Sequence, residues 1–376
     1  MEWSDLLLYG AIAAGGALAG VALVRVGWRV RSQLRLRSAG PRRLLATRHR
    51  LWRDPGRVTV AHLRYGPGGK AGVPAPPFTF LQEHLAGSQP CVAIRDARGR
   101  LWRVKWGHEV HPEVFAVRFA HACGYFAEVT HYVADGEIHG ATGLTRAKAC
   151  IGEDCRFRDA RFELEDRSVR MLFGEHSWAW DDNPFIGTPQ LSGLKIVTMI
   201  LSNWDTKDRR DVARGSNTAI FEHRTLPFGR EARYLITDWG GAMGRWGANV
   251  ISRGRWDAEG FEAQTSQFVT GVENGVVRFG YVGQRTADVA VGIPVAHVRW
   301  FCDRAKQLTE PLLREGLLAS GATDEEAVRF ARALVGRVRR LATAVGGVVE
   351  TSASDRRATE NDVTPLRTST ERGSRE

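Results

Sequence analysis

Cysteine is scarce and unpatterned. The 376 residues hold five, Cys91, Cys123, Cys150, Cys155 and Cys302, an odd number that implies no disulfide framework, with reduced thiols as the expectation. Cys150 and Cys155 lie near His139, but a structural zinc site needs a second closely spaced ligand pair, and the sequence offers none. Internal repeats are missing too, which excludes a solenoid. Net basic charge is thin over most of the chain even though the total is +11. Residues 25–57 carry eleven Arg against the single Asp54, and the 319 residues after them sum to only +3. A nucleic-acid-binding domain carries its cations on the folded body, so nucleic acid is not an expected partner.

What is there divides the chain. With 43% hydrophobic and 25% charged residues, it can bury a sizeable core. Residues 6–24, LLLYGAIAAGGALAGVALV, are 19 uncharged positions in a row. As a helix they come close to spanning a hydrocarbon layer roughly 30 Å thick. A cleaved secretory signal would need cations before the apolar run, yet the start carries Glu2 and Asp5, and Arg25, Arg29 and Arg31 come after it. The expectation is an uncleaved single-pass anchor in the inner (cytoplasmic) membrane, with the alternative of a core helix. The following arginines place the N-terminus outside and the main domain in the cytoplasm, and the Arg-rich segment can rest on anionic lipid. Residues 55–77 are rich in Gly and Pro and read as linker, and from residue 351 a polar, charge-mixed tail is expected to be disordered.

The folded body opens with strand patterns. Residues 91–95 and 101–106 are short apolar runs flanking DARGR, which predicts a β-hairpin. On its second strand Leu101, Arg103 and Lys105 share one face and Trp102, Val104 and Trp106 the other. HPEVFAVRFAHACGY then reads as a helix, with Pro112 and Glu113 in its first turn and Gly124 at its stop. EVTHYV, from Glu128, returns as a strand. After a less patterned region, residues 191–202 form an apolar helix leading into the polar loop NWDTKDRRDVARGSN and the strand TAIFE. A further strand over 234–237 ends in DWGGAMG, an acidic residue followed by turn-forming glycines. Residues 265–283 suggest a hairpin, and 295–318 and 324–345 carry helical patterns.

This ordered set resembles the protein-kinase-like superfamily, specifically its atypical branch of HipA-like and phosphoinositide-kinase-like enzymes, over about residues 90–245. The resemblance implies an α+β, two-lobed protein-kinase-like fold: a small β-rich N-lobe with one helix over 61–135 and a larger helical C-lobe over 136–350. Ahead of them stand the transmembrane helix (1–24) and the Arg-rich segment (25–60); the tail (351–376) follows. It implies ATP and Mg²⁺ as cofactors and transfer of a phosphoryl group to a hydroxyl of a protein, lipid or small molecule. By the same resemblance Lys105 matches the strand Lys that pairs with phosphates, and Glu113 the helix Glu that holds it. Asp205 matches the catalytic-loop Asp, Lys207 a phosphate-contacting Lys, Asn217 the metal-binding Asn, and Asp238 the Asp of the metal-binding Asp-x-Gly triplet.

The chain departs from that pattern in several places. The residue five places after Asp205, where the metal Asn should stand, is Arg210, a cation that cannot ligate Mg²⁺. Either DVARGS is an insertion and Asn217 supplies the ligand, or one metal position is lost and the chain is a pseudokinase scaffold that binds nucleotide or a partner at the membrane. Asn203 and Trp204 replace the His-Arg that usually precedes the catalytic Asp. No G-x-G-x-x-G precedes Lys105; Gly99 in the hairpin can cover phosphates or simply make the turn. Trp178, Trp180, Trp204 and Trp239 read mostly as core packing, with Trp239 the one placed to gate the Asp238 turn.

Overall fold

The computed structural model describes residues 48–165, 170–171, 177–225 and 229–360, all within one compact unit. The expected anchor over 6–24 and most of the Arg-rich segment lie outside the described residues, as does the tail from 361 onward. Among the described residues no helix is long and apolar enough to cross a membrane.

In chain order, β1 (Arg48–Arg50) and α1 (Val60–Tyr65) lead into β2 (Phe78–His84), β3 (Cys91–Arg95) and β4 (Leu101–Lys105). Then come α2 (Val110–Ala122), β5 (Thr130–His139), β6 (Arg156–Leu164) and β7 (Arg170–Met171). α3 (Pro189–Ile200) precedes the hairpin of β8 (Thr218–Thr225) and β9 (Gly229–Ile236). The remainder is α4 (Ala258–Ala263), β10 (Val269–Glu273), β11 (Val276–Phe279), α5 (Thr286–Val289), β12 (Ile293–Pro294), α6 (Val295–Ala305), α7 (Glu310–Leu318) and α8 (Asp324–Glu360).

Alternation of apolar and charged side chains closes the first half into a barrel, strand order β2-β3-β4-β6-β5. Val92, Ile94, Trp102, Val104, Ile138 and Phe162 fill it and are wholly buried. The expected β3–β4 hairpin pairs Cys91 with Lys105 and Ile94 with Trp102. Asp96 organises its turn by accepting from the backbone N–H of Arg98 at 3.0 Å and of Arg100 at 2.9 Å. Gly99 supplies the left-handed residue of that turn at φ 75°, a conformation glycine adopts without strain. The division at residue 135 does not match this barrel, because β5 runs through that position and β6 inserts between β4 and β5.

The burial of α2 exceeds its pattern. Eleven of its thirteen residues are buried, Glu113 and Arg118 among them, because it packs against α1, β5, β6 and α7 at once. A helix covered on all sides needs partners for every charge it carries. In the second half, β8 and β9 pair antiparallel and β1 joins β9 in parallel. The expected hairpin over 265–283 forms from β10 and β11, with Asn274 and Gly275 both at positive φ in the turn. The helical pattern over 295–318 divides into α6 and α7, since Pro311 sits at the start of the second helix and cannot lie in a helix interior. α8 runs through residues 351–360, which the sequence reading assigns to a disordered tail.

Candidate functional site

Two polar loops meet beside the barrel: the one that follows α3 and the one that follows β9. Thr188 caps α3, its Oγ1 accepting from Leu191 N at 3.2 Å. At the other end the fully buried Arg337 of α8 donates to Ile200 O at 2.6 Å, Ser202 Oγ at 2.8 Å and Phe261 O at 2.8 Å. Two of these bonds satisfy carbonyls near the ends of two helices, α3 and α4, which would otherwise be left bare. Ser202 then turns the chain at φ 55°, and Asn203, Trp204 and Asp205 follow, all buried. The Tyr281 hydroxyl donates to Asn203 O at 2.5 Å, fixing the loop from below.

Asp205 is held at three points. Lys207 Nζ stands 3.1 Å from Oδ2, Gln284 Nε2 donates to Oδ1 at 2.8 Å, and Asn217 Nδ2 donates to the Asp205 carbonyl at 2.7 Å. Burial pushes the Asp205 carboxyl above its ordinary value; Lys207 pulls it back, while the charge of Asp238 adds to the rise. Asp205 and Asp238 are therefore electrostatic neighbours. Asn217 is set by the ladder entering β8: its N–H donates to Lys207 O at 3.2 Å, and Thr237 N donates to Asn217 O at 2.9 Å.

Asp238 lies two residues beyond β9 and closes a tight turn by accepting from Gly240 N at 2.9 Å. The second glycine is required by close approach. A Cβ at Gly241 would come within 2.8 Å of Asn203 Oδ1 and 3.1 Å of Asp205 Cβ, so the two loops touch only because that side chain is missing.

The pairing of Lys105 differs from expectation. Its Nζ lies 3.4 Å from Glu163 Oε2 on β6, not on Glu113. Glu113 instead pairs with Arg161 Nη1 at 2.9 Å and accepts from the backbone N–H of Trp239 at 2.7 Å. Arg161 Nη2 in turn reaches Glu163 at 3.1 Å. A continuous chain thus runs Lys105, Glu163, Arg161, Glu113, Trp239 N–H, ending one residue from Asp238. The reason is sheet order: β6 lies next to β4, with Arg103 opposite Glu163 and Lys105 opposite Arg161, so a β6 carboxylate is nearer to Lys105 than the helix is. Glu163 was not visible as a site residue in the sequence; its only signal is the alternation of Arg161 and Glu163 with the inward Phe162.

Charge settles unevenly along this chain. Burial pushes the Glu113 carboxyl up to about 8 against the pull of Arg161, with Asp238 adding to the rise. Glu163 is equally buried, yet Lys105, Arg161 and Arg103 outweigh that and hold it at about 2. Arg161 stays charged, its burial outweighed by Glu113 and Glu163. Glu113 is therefore the member that takes up a proton first.

Arg210, five places after Asp205, is taken up by three carboxylates. Its guanidinium lies 2.9 Å from Asp208 Oδ1, 2.8 Å from Asp181 and 2.6 Å from Asp288, a clasp that ties the excursion after Asp205 to α5. Asn217, beside Asp205, is the amide this geometry brings to the site.

Among the described residues no group of three or more His, Cys, Asp and Glu could hold a metal ion; Cys150 and Cys155 are free thiols. With the Asp205 carboxylate taken up by Lys207 and Gln284, the oxygen donors left at the two loops are the carboxylate of Asp238 and the amides of Asn217 and Asn203. Asn203 Oδ1 is buried without a hydrogen-bond partner. Asn203 Nδ2 donates to the Asp238 carbonyl at 3.4 Å, so this side chain meets the Asp238 turn, and carboxylate and amide oxygens are ligands that suit a hard cation such as Mg²⁺. Of the tryptophans near the site, Trp178, Trp180 and Trp239 are 2% exposed or less, and Trp204 lies under Arg253 and Arg255, which stack at 4.9 and 4.7 Å from its ring.

Comparison of the chain with protein-family models, with curated proteins and with solved structures finds no match.

Proposed function

We propose that the chain is an atypical kinase that transfers the γ-phosphoryl group of ATP to a hydroxyl acceptor, anchored by residues 6–24 in the inner membrane with its main domain cytoplasmic and its Arg-rich segment on anionic lipid. The observation that carries the reading is the contact chain from Lys105 through Glu163, Arg161 and Glu113 to the backbone beside Asp238. It couples a cation suited to phosphates with a carboxylate suited to a metal, and Asp238 in turn neighbours Asp205 electrostatically.

On this reading Lys105 neutralises the phosphates while Glu163, in place of Glu113, positions it. Asp238 with the Asn217 and Asn203 oxygens would hold Mg²⁺, which supplies charge neutralisation on the transferring group. Asp205 orients the acceptor hydroxyl. The acceptor oxygen forms a bond to the γ-phosphorus, the bond from that phosphorus to the bridging oxygen breaks to release ADP, and the hydroxyl proton passes to an Asp205 carboxylate oxygen. Burial raises the basicity of that carboxylate, which favours the transfer. Lys207, already on Asp205, is placed to neutralise the phosphoryl oxygens.

The test uses the full chain in nonionic detergent. ATP with Mg²⁺ is expected to raise the melting temperature, and ATP alone to do so less. Asp238→Asn is expected to abolish the Mg²⁺-dependent part. Asp205→Ala is expected to retain the nucleotide shift and lower phosphate transfer by about 10³-fold. Transfer equal in wild type and Asp205→Ala would remove the reading, and a nucleotide shift without transfer in any form identifies a scaffold.

A further inference from the structure

Beside Asp205 lies a second feature, of which the transfer chemistry uses only Lys207. A cavity of about 730 Å³ is lined by Lys207, Arg210, Arg214, Arg253 and Arg285, with Asp211 as the sole carboxylate in the wall. Its other lining residues are Ala213, Ala248, Gly283 and Gln284. Lys207 and Gln284, two of its lining side chains, also touch the Asp205 carboxylate, so the cavity lies next to it. No residue of β4, α2, β9 or the Asp238 turn contributes to the wall, which separates it from the Lys105 and Asp238 side of the site.

The cations are not equally occupied. Arg210 is held by Asp208, Asp181 and Asp288. Arg285 donates to Asp211 at 3.0 and 2.8 Å. Arg253 gives its Nε to Gly247 O at 2.8 Å and lies on Trp204, and Arg214 is exposed. Among the described residues no carboxylate forms an ion pair with either of these two. Two guanidinium groups without an ion-paired carboxylate, Asp211 acting on Arg214 only at longer range, in a wall of five cations and one anion, form a site for a doubly charged oxyanion, which Arg meets with paired hydrogen bonds. The wall has no aromatic or large aliphatic side chain to receive a nucleobase, and its volume exceeds that of a lone phosphate.

We infer that this cavity receives a phosphomonoester group of the acceptor, so that the molecule phosphorylated at Asp205 already carries a phosphate near its free hydroxyl. The inference rests on the kinase reading of Asp205.

The experiment is calorimetric titration of the full chain in nonionic maltoside micelles, without nucleotide, using two probes: glycerol 3-phosphate for a soluble acceptor and dibutyryl phosphatidic acid for a lipid headgroup. At least one probe is expected to bind, and the tighter one identifies the source. The double variant Arg214→Gln with Arg253→Gln is expected to weaken binding tenfold or more. Ala213→Glu, which adds a negative charge to the exposed wall and removes no contact, is expected to do the same should the loss of Arg253 disturb its loop. Lys105→Met is expected to leave probe binding unchanged, since it belongs to the nucleotide side. Neither probe binding, or binding indifferent to both cavity variants, overturns the inference. ATP turnover without probe binding overturns it while the kinase reading stands. Probe binding with turnover no greater than that of Asp238→Asn removes the kinase reading and with it the acceptor role of the cavity.

Discussion

Glu163 and Glu113 are both buried carboxylates, yet they carry opposite consequences. Glu163 touches Lys105, and Lys105, Arg161 and Arg103 hold its carboxyl below the usual carboxylate range, so its charge keeps the ammonium in place. Glu163→Gln is expected to raise the KM for ATP about tenfold with a smaller effect on kcat, since Lys105 loses its orienting charge; steady-state kinetics decides this, and an unchanged KM would return the clamp to Glu113. For Glu113 the folded value of about 8 lies above the ordinary 4.5. Between these pH values the folded chain holds a proton that the unfolded chain has released, so stability falls as pH rises through that window. Calorimetric melting temperatures taken across it are expected to decline more steeply for wild type than for Glu113→Gln. Equal slopes would mean that Glu113 is ionised throughout.

The loop between Asp205 and β8 depends on one guanidinium. Arg210 bonds Asp208, whose side chain is wholly buried, and reaches Asp181 before α3 and Asp288 on α5. Arg210→Asn would restore the residue type that the five-place spacing calls for. In this geometry it is expected to leave the Asp208 charge buried and unpaired, lowering stability by about 3 kcal/mol without tightening Mg²⁺ binding. Urea denaturation and Mg²⁺ titration of the nucleotide shift check the two halves, and tighter Mg²⁺ binding in the variant would show that Arg210 displaces a metal ligand. Helix α2 has the same character: the sequence marks its start at Pro112 and its stop at Gly124, but its burial on almost every side comes from four neighbouring elements.

The compact unit begins early in the chain. β1 adds a parallel strand to β9, Leu51 is 2% exposed, and Trp52 Nε1 donates to Cys123 O at 2.8 Å. Removal of residues 1–45 is expected to leave the unfolding midpoint of the body unchanged. Removal of residues 1–57 takes away β1, Leu51 and Trp52 and is expected to cost on the order of 3 kcal/mol or more. Chemical denaturation of the two truncations separates these outcomes, and equal midpoints would mean that β1 contributes nothing to the β9 sheet. Fractionation of cells is expected to find the full chain with membranes and the 46–376 form in the supernatant.

Local periodicity was enough to locate the β3–β4 hairpin, α2, α3, the β8–β9 pair and the β10–β11 hairpin, because a two-residue or 3.6-residue repeat of apolar side chains is written along a single stretch of chain. The acidic and glycine residues that mark Asp205 and Asp238 were equally legible, since turns and strand ends depend on their own residues. What the linear order could not assign was partnership. Glu163 reaches Lys105 because β6 enters the barrel beside β4, Arg210 closes on three carboxylates from separate segments, and Arg214 and Arg253 meet across one cavity wall. Each of those depends on which distant elements become neighbours, and a charge buried between them takes whichever counter-charge the packing brings within reach.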